Sequence, residues 1–214
     1  MREVHASCVW SREMTHEKLV PYLTEEAAEV IDAVETGDRA GLREELGDLL
    51  WQVLFHAAVA SEHPEDPFDL DDVARTLADK MIRRHPHVFA GETAETPERV
   101  LELWNAAKAE EKRERRSVLD GVPAGMPSLA LAQKVLGRGA RVEVGLEHVE
   151  AIRAAEAIEQ AEGETLLPAS EEELGETLLG LAALARDRGW DAERALRTRL
   201  RAFADEVRTA EMEE

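Results

Sequence analysis

The stretch TEEAAEVIDAVETGDRAGLREELGDLLW, residues 24–51, decides the fold of this chain. It sets two acidic clusters inside sequence that otherwise has the apolar spacing of buried helix. The first cluster is Glu25, Glu26 and Glu29, and the second is Glu44, Glu45 and Asp48. A short Thr-Gly-Asp break separates the two helical patterns, so the stretch predicts an antiparallel helical hairpin.

Apolar side chains recur at helical spacing on both sides of this break. The first helix is expected at about 17–35, with an apolar stripe formed by Leu23, Ala27, Val30, Ile31 and Val34. The second is expected at about 39–61, with a main stripe formed by Leu42, Leu46, Leu49, Leu50, Val53, Leu54 and Ala57. Because the second helix is apolar almost all round, it is predicted to be buried.

One polar strip interrupts the second helix, and it consists of Glu45, Asp48, Gln52 and His56. On the first helix, Glu26 and Glu29 flank the apolar stripe one turn apart. The hairpin would bring these carboxylates face to face, and burying each of them unpaired costs several kcal/mol. The acids therefore need cations, and a set of oxygen ligands favours Mg²⁺ or Mn²⁺ over zinc. Gln52 and His56 are expected to supply hydrogen bonds around the site.

Further helices follow the hairpin. Asp69 or Asp71 is placed to cap a third helix that ends near Arg84. The segment RRHPHVFAGETAETP is predicted to be a loop, in which His85 and His87 are structural and not metal ligands. Pro97 is expected to open a fourth helix that reaches Arg116.

An internal repeat indicates two related helical units. REELGDLLW at 43–51 recurs as EEELGETLL at 171–179, and DLDDVARTLADKMIRR at 69–84 aligns with DAERALRTRLRAFADE at 191–206. The predicted organisation is a catalytic domain at 1–118, a Pro/Gly-rich linker at 119–128 and a second domain at 129–214. Glu156, Glu159, Glu173 and Glu176 are all that is left of the acidic clusters in the second copy. We therefore predict an all-α protein of tandem units whose second unit is degenerate and structural or dimerising.

Composition excludes several classes of partner. The formal net charge is -20, which argues against a nucleic-acid polymer or an anionic membrane surface. A phosphate ligand would need a metal ion to mediate its approach. Cys8 is the single cysteine, so the chain cannot form an internal disulfide, and the N-terminal residues lack the apolar core of a signal peptide. These features predict a cytoplasmic protein.

Glu25-Glu26-x-x-Glu29 followed by Glu45-x-x-Asp48 resembles the all-α nucleoside triphosphate pyrophosphohydrolases of the MazG family. The stretches CVWSREMTHEKLVPYLTEEAAEV, ELGDLLWQVLFHA, DKMIRRHPHVF and LELWNAAKAEEK also fall in the order typical of that family. The resemblance is strong through residue 128 and fainter beyond it. It implies Mg²⁺-dependent hydrolysis of a nucleoside triphosphate to the monophosphate and pyrophosphate, by attack of water on the α-phosphorus.

The resemblance also implies roles for single residues. Carried over by position, the metal ligands would be Glu26, Glu29, Glu45 and Asp48, with Glu25 as an ancillary acid. A glutamate of the first cluster would take the proton of the attacking water. Lys80 and Arg84 would contact phosphate oxygens, and Trp104 and Lys108 would complete the nucleotide pocket. Members of such a family act in nucleotide-pool clearing, and a homodimer is expected because a short helical hairpin leaves a large apolar face.

Some positions depart from the family pattern and keep two alternatives open. Val9, Ser11 and Met14 replace the Pro, Asp and Gln of the family stretch. One alternative is a non-catalytic acidic helical protein that regulates a partner. The other is a carboxylate-bridged di-iron or di-manganese bundle, for which Glu13-x-x-His16 is the candidate motif near the site.

Overall fold

The computed structural model of the protein describes residues 1–111, 113, 115–142, 168 and 170–213. Every regular element in these ranges is an α-helix or a 3₁₀ turn, which confirms the all-α prediction. The chain divides into two compact units, Met1–Lys112 and Arg113–Glu214. Among the helices of the described ranges, none is both long and apolar enough to cross a membrane.

The first unit is organised around one pair of long helices. Its elements are α1 (Arg2–Ser7), α2 (Val9–Arg12), α3 (His16–Thr36), α4 (Arg39–Ala60), α5 (Leu70–Arg84), α6 (Pro86–Phe89) and α7 (Pro97–Glu110). α3 packs along α4, which confirms the predicted hairpin, and the bounds of both helices agree with the predicted ones to within one residue. α1 and α5 pack on α4, and α7 packs on α5 and α6.

Local side chains fix the two ends that form the hairpin turn. Gly37 ends α3 with a φ of 75°, a conformation that a β-carbon disfavours. Asp38 then caps α4, because its Oδ1 accepts hydrogen bonds from the backbone N–H groups of Ala40 and Gly41, each at 3.0 Å. The Thr-Gly-Asp break therefore acts as a paired stop and start signal.

An aromatic cluster forms the core at one end of the hairpin. Phe55 of α4 is fully buried, and its ring lies edge-on to those of Trp10 and Trp51, with centroids 6.0 and 6.1 Å apart. Leu19 of α3 is likewise fully buried. Trp10 belongs to α2, a helix that the sequence did not predict, and this contact attaches the N-terminal segment to the hairpin.

The prediction that α4 is buried was wrong for one of its faces. Leu46, Leu50 and Val53 are exposed in the single chain, and so are Ile31 and Val34 of the expected α3 stripe. The buried residues of α4 are Gln52, Phe55, Ala57, Ala58 and Ala60. α4 is apolar on all sides because it has two apolar faces. One face packs within the chain, and the other is exposed and could be buried only against another surface.

Of the two aspartates that the sequence offered as caps, Asp69 begins α5, and it does so with a capping box. Its carboxylate accepts from the backbone N–H groups of Asp71 and Asp72, and the Asp72 carboxylate accepts from the N–H of Asp69. The predicted loop after α5 contains the short helix α6, which Pro86 opens because its ring presets a helical φ.

The fourth helix is shorter than predicted. α7 ends at Glu110 and not at Arg116. The carboxylate of Asp120 accepts hydrogen bonds from the backbone N–H groups of Arg116 and Ser117, at 2.9 and 3.1 Å. These bonds hold a turn in place of a further helical turn, which is how an aspartate competes with helix.

The second unit contains α8 (Ser128–Gly139), a 3₁₀ turn (Ala140–Val142), α9 (Glu171–Asp187) and α10 (Ala192–Glu213). α8 packs on both α9 and α10, and Leu136, Ala182 and Ala183 form its small core. The Gln133 amide joins α8 to the α9–α10 turn, where Nε2 donates to the Trp190 carbonyl at 2.7 Å. Glu156 and Glu159, the remnant of the first acidic cluster, lie outside the described residues.

Candidate active site

Three carboxylates converge where α3 and α4 face each other. Glu26 and Glu29 extend from α3, one turn apart, and Glu45 extends from α4. One carboxylate oxygen from each of the three lies within 4.8 Å of the other two. The hairpin therefore brings together three of the four predicted metal ligands.

Partial removal from water and mutual repulsion both raise pKa values in this cluster. The pKa of Glu26 is raised, chiefly by its partial removal from water and then by the charges of Asp48 and Glu29. The pKa of Glu45 is raised in the same way, by removal from water and then by Glu29, Glu44 and Asp48. Asp48, the fourth predicted ligand, thus lies close enough to act on both glutamates although its side chain is exposed.

The donor set fits a hard divalent cation. Every group in the cluster offers an oxygen, which is the ligand that Mg²⁺ and Mn²⁺ prefer. A cation would also offset the charge repulsion, which after removal from water is the second cause of the raised pKa values. Glu25 is exposed and is not one of the three converging acids, so its predicted role as an ancillary acid stays a prediction.

Gln52 extends the polar strip into the protein. Its side chain is buried, and Nε2 donates a hydrogen bond to Glu26 Oε1 at 3.5 Å. Its Oε1 is buried and has no hydrogen-bond partner among the described residues. Gln52 therefore contacts the acidic cluster directly, as the helical spacing predicted.

A histidine pair lies at the far end of the same strip. The Nδ1 atoms of His16 and His56 are 2.7 Å apart, and the two rings stack with an angle of 4° between their planes. The pKa of His56 is lowered by burial and, to a smaller extent, by the charge of His16. His16 thus pairs with His56, whereas the sequence associated it with Glu13.

A second cluster joins α5 to α7. The Arg84 guanidinium lies over the Trp104 ring, with its carbon 5.2 Å from the ring centroid. Its Nε and Nη2 both donate to Glu111 Oε2, at 3.0 and 2.5 Å. His85 also lies edge-on to Trp104, with ring centroids 5.0 Å apart.

Two of the four predicted nucleotide-binding residues, Arg84 and Trp104, therefore meet directly, while Lys80 and Lys108 are half-buried on the same two helices. Glu111 was missed by sequence reasoning, because a glutamate in an acidic chain gives no signal without its partner. In the described part of the chain, α7 contacts α5 and α6 but not α3. The acidic cluster lies on α3 and α4, whereas Arg84 and Trp104 lie on α5 and α7. The two clusters are connected through the packing of α4 on α5, and the structure does not bring them together into a single cluster.

Comparison with known proteins is consistent with this geometry. Residues 14–89 match the family model described as the MazG nucleotide pyrophosphohydrolase domain. A protein of Escherichia coli (strain K12) named nucleoside triphosphate pyrophosphohydrolase is 36% identical over 222 residues, which cover 99% of this chain and 83% of that protein. The chain belongs to the MazG family. The matched residues include α3, α4 and α5, so the acidic cluster and Arg84 lie inside the MazG domain, whereas Trp104, Lys108 and Glu111 lie beyond it.

Two further relatives extend the comparison of this MazG chain. A nucleoside triphosphate pyrophosphohydrolase of Mycolicibacterium smegmatis is 39% identical over 213 residues, which cover 99% of this chain and 57% of that protein. A protein of Streptomyces cacaoi, described as an uncharacterized 26.1 kDa protein in blaB 3'region, is 44% identical over 211 residues and is covered for 79% of its length. The similarity therefore extends through both units of the chain.

Proposed function

We propose that this MazG protein hydrolyses nucleoside and deoxynucleoside triphosphates to the monophosphate and pyrophosphate in a Mg²⁺-dependent reaction. The observation that carries the proposal is the convergence of Glu26, Glu29 and Glu45 on paired helices. The family supplies the reaction class, and the names of the relatives from E. coli and M. smegmatis supply the substrate class. The proposed role is clearing of the cytoplasmic nucleotide pool.

Glu26, Glu29 and Glu45, with Asp48, would hold the ion. Mg²⁺ is the proposed ion and Mn²⁺ the alternative, because both prefer oxygen ligands. When bound, the ion supplies positive charge next to the polyphosphate and makes water more acidic. The raised pKa values of Glu26 and Glu45 support this assignment, because they reflect acids that are partly removed from water and that repel each other, and a cation would stabilise both acids as anions.

The chain's own residues would position the reactants. Lys80, Arg84 and Lys108 contact phosphate oxygens and offset the charge that builds up there, and Trp104 contacts the nucleoside or the arginine next to it. A carboxylate of the first cluster, which includes Glu25, accepts the proton of the water that attacks the α-phosphorus. The attack is in line with departing pyrophosphate.

We also propose that the protein is a homodimer. The α3/α4 hairpin exposes Val20, Ile31, Val34, Leu46, Leu50 and Val53, and all of these except Val20 belong to the apolar stripes predicted from the sequence. A second copy of the same hairpin would cover this face by two-fold symmetry. The apolar patch and its position on the paired helices α3 and α4 support this arrangement.

Light scattering tests the dimer. The wild-type protein is expected at about twice the chain mass of 23.8 kDa, and the Leu46→Glu/Leu50→Glu double variant at the mass of one chain. Leu77→Glu on α5 is the matched control, because Leu77 is exposed to a similar degree outside the hairpin. A monomeric wild-type protein, or dissociation only of the control, would contradict the proposal.

Product analysis by anion-exchange chromatography tests the activity. Each of the common nucleoside and deoxynucleoside triphosphates is incubated with the protein in Mg²⁺ and in EDTA. We expect monophosphate and pyrophosphate in Mg²⁺ alone, and no product from a Glu45→Gln/Asp48→Asn double variant. Glu173→Gln/Glu176→Gln, at the repeat-equivalent positions, is the matched control and should keep full activity. Release of diphosphate and orthophosphate would overturn attack at the α-phosphorus, and absence of turnover by folded protein would overturn the proposed activity on these nucleotides.

A further inference from the structure

Arg84 is held on two sides within the α5/α7 cluster. The Trp104 ring lies against one face of the Arg84 guanidinium, and the Glu111 carboxylate accepts hydrogen bonds from its Nε–H and one Nη2–H. The Arg84 side chain is only 14% exposed, and the Glu111 side chain only 21%. This pair is thus more enclosed than a usual surface ion pair, which is mobile and contributes little.

The two hydrogen bonds use one edge of the guanidinium and leave the other. Nε and Nη2 form the side edge, and both donate to the same oxygen, Glu111 Oε2. The Nη1 end points away from that carboxylate, because the guanidinium is a rigid planar fork. Glu111 therefore fixes the direction of the Arg84 donors without occupying all of them.

Arg83 contacts the same carboxylate differently. Its Nε donates to the other oxygen, Glu111 Oε1, at 3.4 Å, and its side chain is 57% exposed. The pKa of Glu111 is lowered, chiefly by its hydrogen bond from Arg84. Glu111 is thus a stable anion at neutral pH, and Arg84 is its principal partner.

We infer that Glu111 is a positioning residue, which fixes the Arg84 guanidinium against Trp104 so that its Nη1 end meets a phosphate group of the nucleotide. This inference rests on the proposed function, in which Arg84 binds phosphate. A free arginine loses rotamer freedom when it binds a ligand, and here that freedom is already lost in the folded protein. Glu111 therefore acts on nucleotide affinity through Arg84 and makes no contact with the reacting atoms.

Equilibrium binding tests the inference separately from turnover. The probe is a nucleoside triphosphate whose α,β-bridging oxygen is replaced by a methylene group, titrated in Mg²⁺ by calorimetry. Glu111→Gln keeps the shape and removes the charge, and we expect it to weaken binding by about tenfold. Glu111→Asp keeps the charge but shortens the reach, so a smaller loss is expected. Glu102→Gln is the matched control, because Glu102 pairs with Arg99 on the same helix at an exposed site.

A double-mutant cycle tests the route through Arg84. In an Arg84→Ala background, Glu111→Gln should weaken binding no further, because the residue through which it acts is gone. With natural substrate, Glu111→Gln should raise KM by the same factor and change kcat by less than about twofold.

The outcomes separate the inference from the proposed function. Unchanged or tighter binding in Glu111→Gln, or an equal further loss in the Arg84→Ala background, would overturn the positioning role. If the wild-type protein binds the analogue in this pattern but hydrolyses no nucleotide, the proposed activity fails and the positioning role stands. If the wild-type protein binds no nucleotide triphosphate, both are overturned.

Discussion

The predicted internal repeat places one of its copies on α4 and the other on α9, and each helix buries equivalent positions within its own unit. Aligning 43–57 with 171–185 pairs the buried residues Gln52, Phe55 and Ala57 with Gly180, Ala183 and Ala185, which are also buried. The exposed apolar positions correspond as well. Leu46, Leu50 and Val53 are 51%, 56% and 39% exposed, and Leu174, Leu178 and Leu181 are 45%, 44% and 49% exposed. Each copy thus buries one face and exposes an apolar one.

The polar strip is where the two helices differ. Gln52 of α4 corresponds to Gly180 of α9, and His56 corresponds to Leu184. The second copy keeps the packing pattern without the amide that contacts Glu26 and without the histidine that pairs with His16. A buried polar group that the packing does not require is retained for another reason, and we interpret the strip of α4 as functional.

The largest difference is expected when the equivalent acids of the two copies are each replaced by glutamine. Glu45→Gln removes one charge from the carboxylate cluster and should reduce pyrophosphohydrolase activity by about a thousandfold, since a metal site contributes several kcal/mol. Glu173→Gln makes the same chemical change in α9 and should leave activity unchanged. Steady-state assays at saturating Mg²⁺ measure both. Equal losses in the two variants would show that the second copy also carries a site.

Phe55 tests how the two cores differ. Its ring packs edge-on against Trp10 and Trp51, whereas the equivalent Ala183 lies in a core with the aliphatic residues Leu136 and Ala182. Phe55→Ala should lower the free energy of unfolding by about 3–5 kcal/mol, measured by urea denaturation. The exposed Arg43→Ala on the same helix should change it by less than about 0.5 kcal/mol. A small effect at Phe55 would mean that α1 and α2 do not stabilise the hairpin.

Gln52→Met makes the α4 strip apolar at one point while nearly conserving the side-chain volume. The hydrogen bond to Glu26 is lost, and groups that orient a metal ligand typically contribute about 10–100-fold to metal affinity or activity. Titration of activity against Mg²⁺ should show the weaker apparent affinity. Stability should not fall, because the variant also removes a buried amide oxygen that has no partner among the described residues. Loss of stability with unchanged Mg²⁺ dependence would assign Gln52 to packing alone.

His56→Leu gives α4 the residue that α9 has, and the smallest effect is expected here. The pKa of His56 in the folded protein lies below its ordinary value of 6.5. As the pH falls through about 6.5, the unfolded chain binds the proton first, so the free energy of unfolding decreases until the folded pKa is passed. The variant should make urea stability less dependent on pH between neutral and mildly acid conditions. A pH dependence identical to that of the wild-type protein would contradict the cause assigned to His56.

The sequence by itself determined the helical class, the hairpin and the positions of the site acids. Thr36, Gly37 and Asp38 define the turn through local backbone preferences, and the helical period then places Glu26, Glu29 and Glu45 on facing sides. Such features depend on residues close together in the chain, so they can be predicted from spacing alone. The end of α7 was predicted too late, at Arg116, because the bonds from the backbone N–H groups of Arg116 and Ser117 to the Asp120 side chain could not be predicted from helical spacing.

Only the tertiary structure decided which of two apolar faces is buried and which acid meets which base. The all-round apolar pattern of α4 did not distinguish Phe55, which packs on Trp10, from Leu50, which is exposed. The sequence also gave no indication that Glu111, among 46 acidic residues, is the one that pairs with Arg84. Contacts of this kind join helices that are distant in sequence, and their geometry exists only once α5 and α7 have packed.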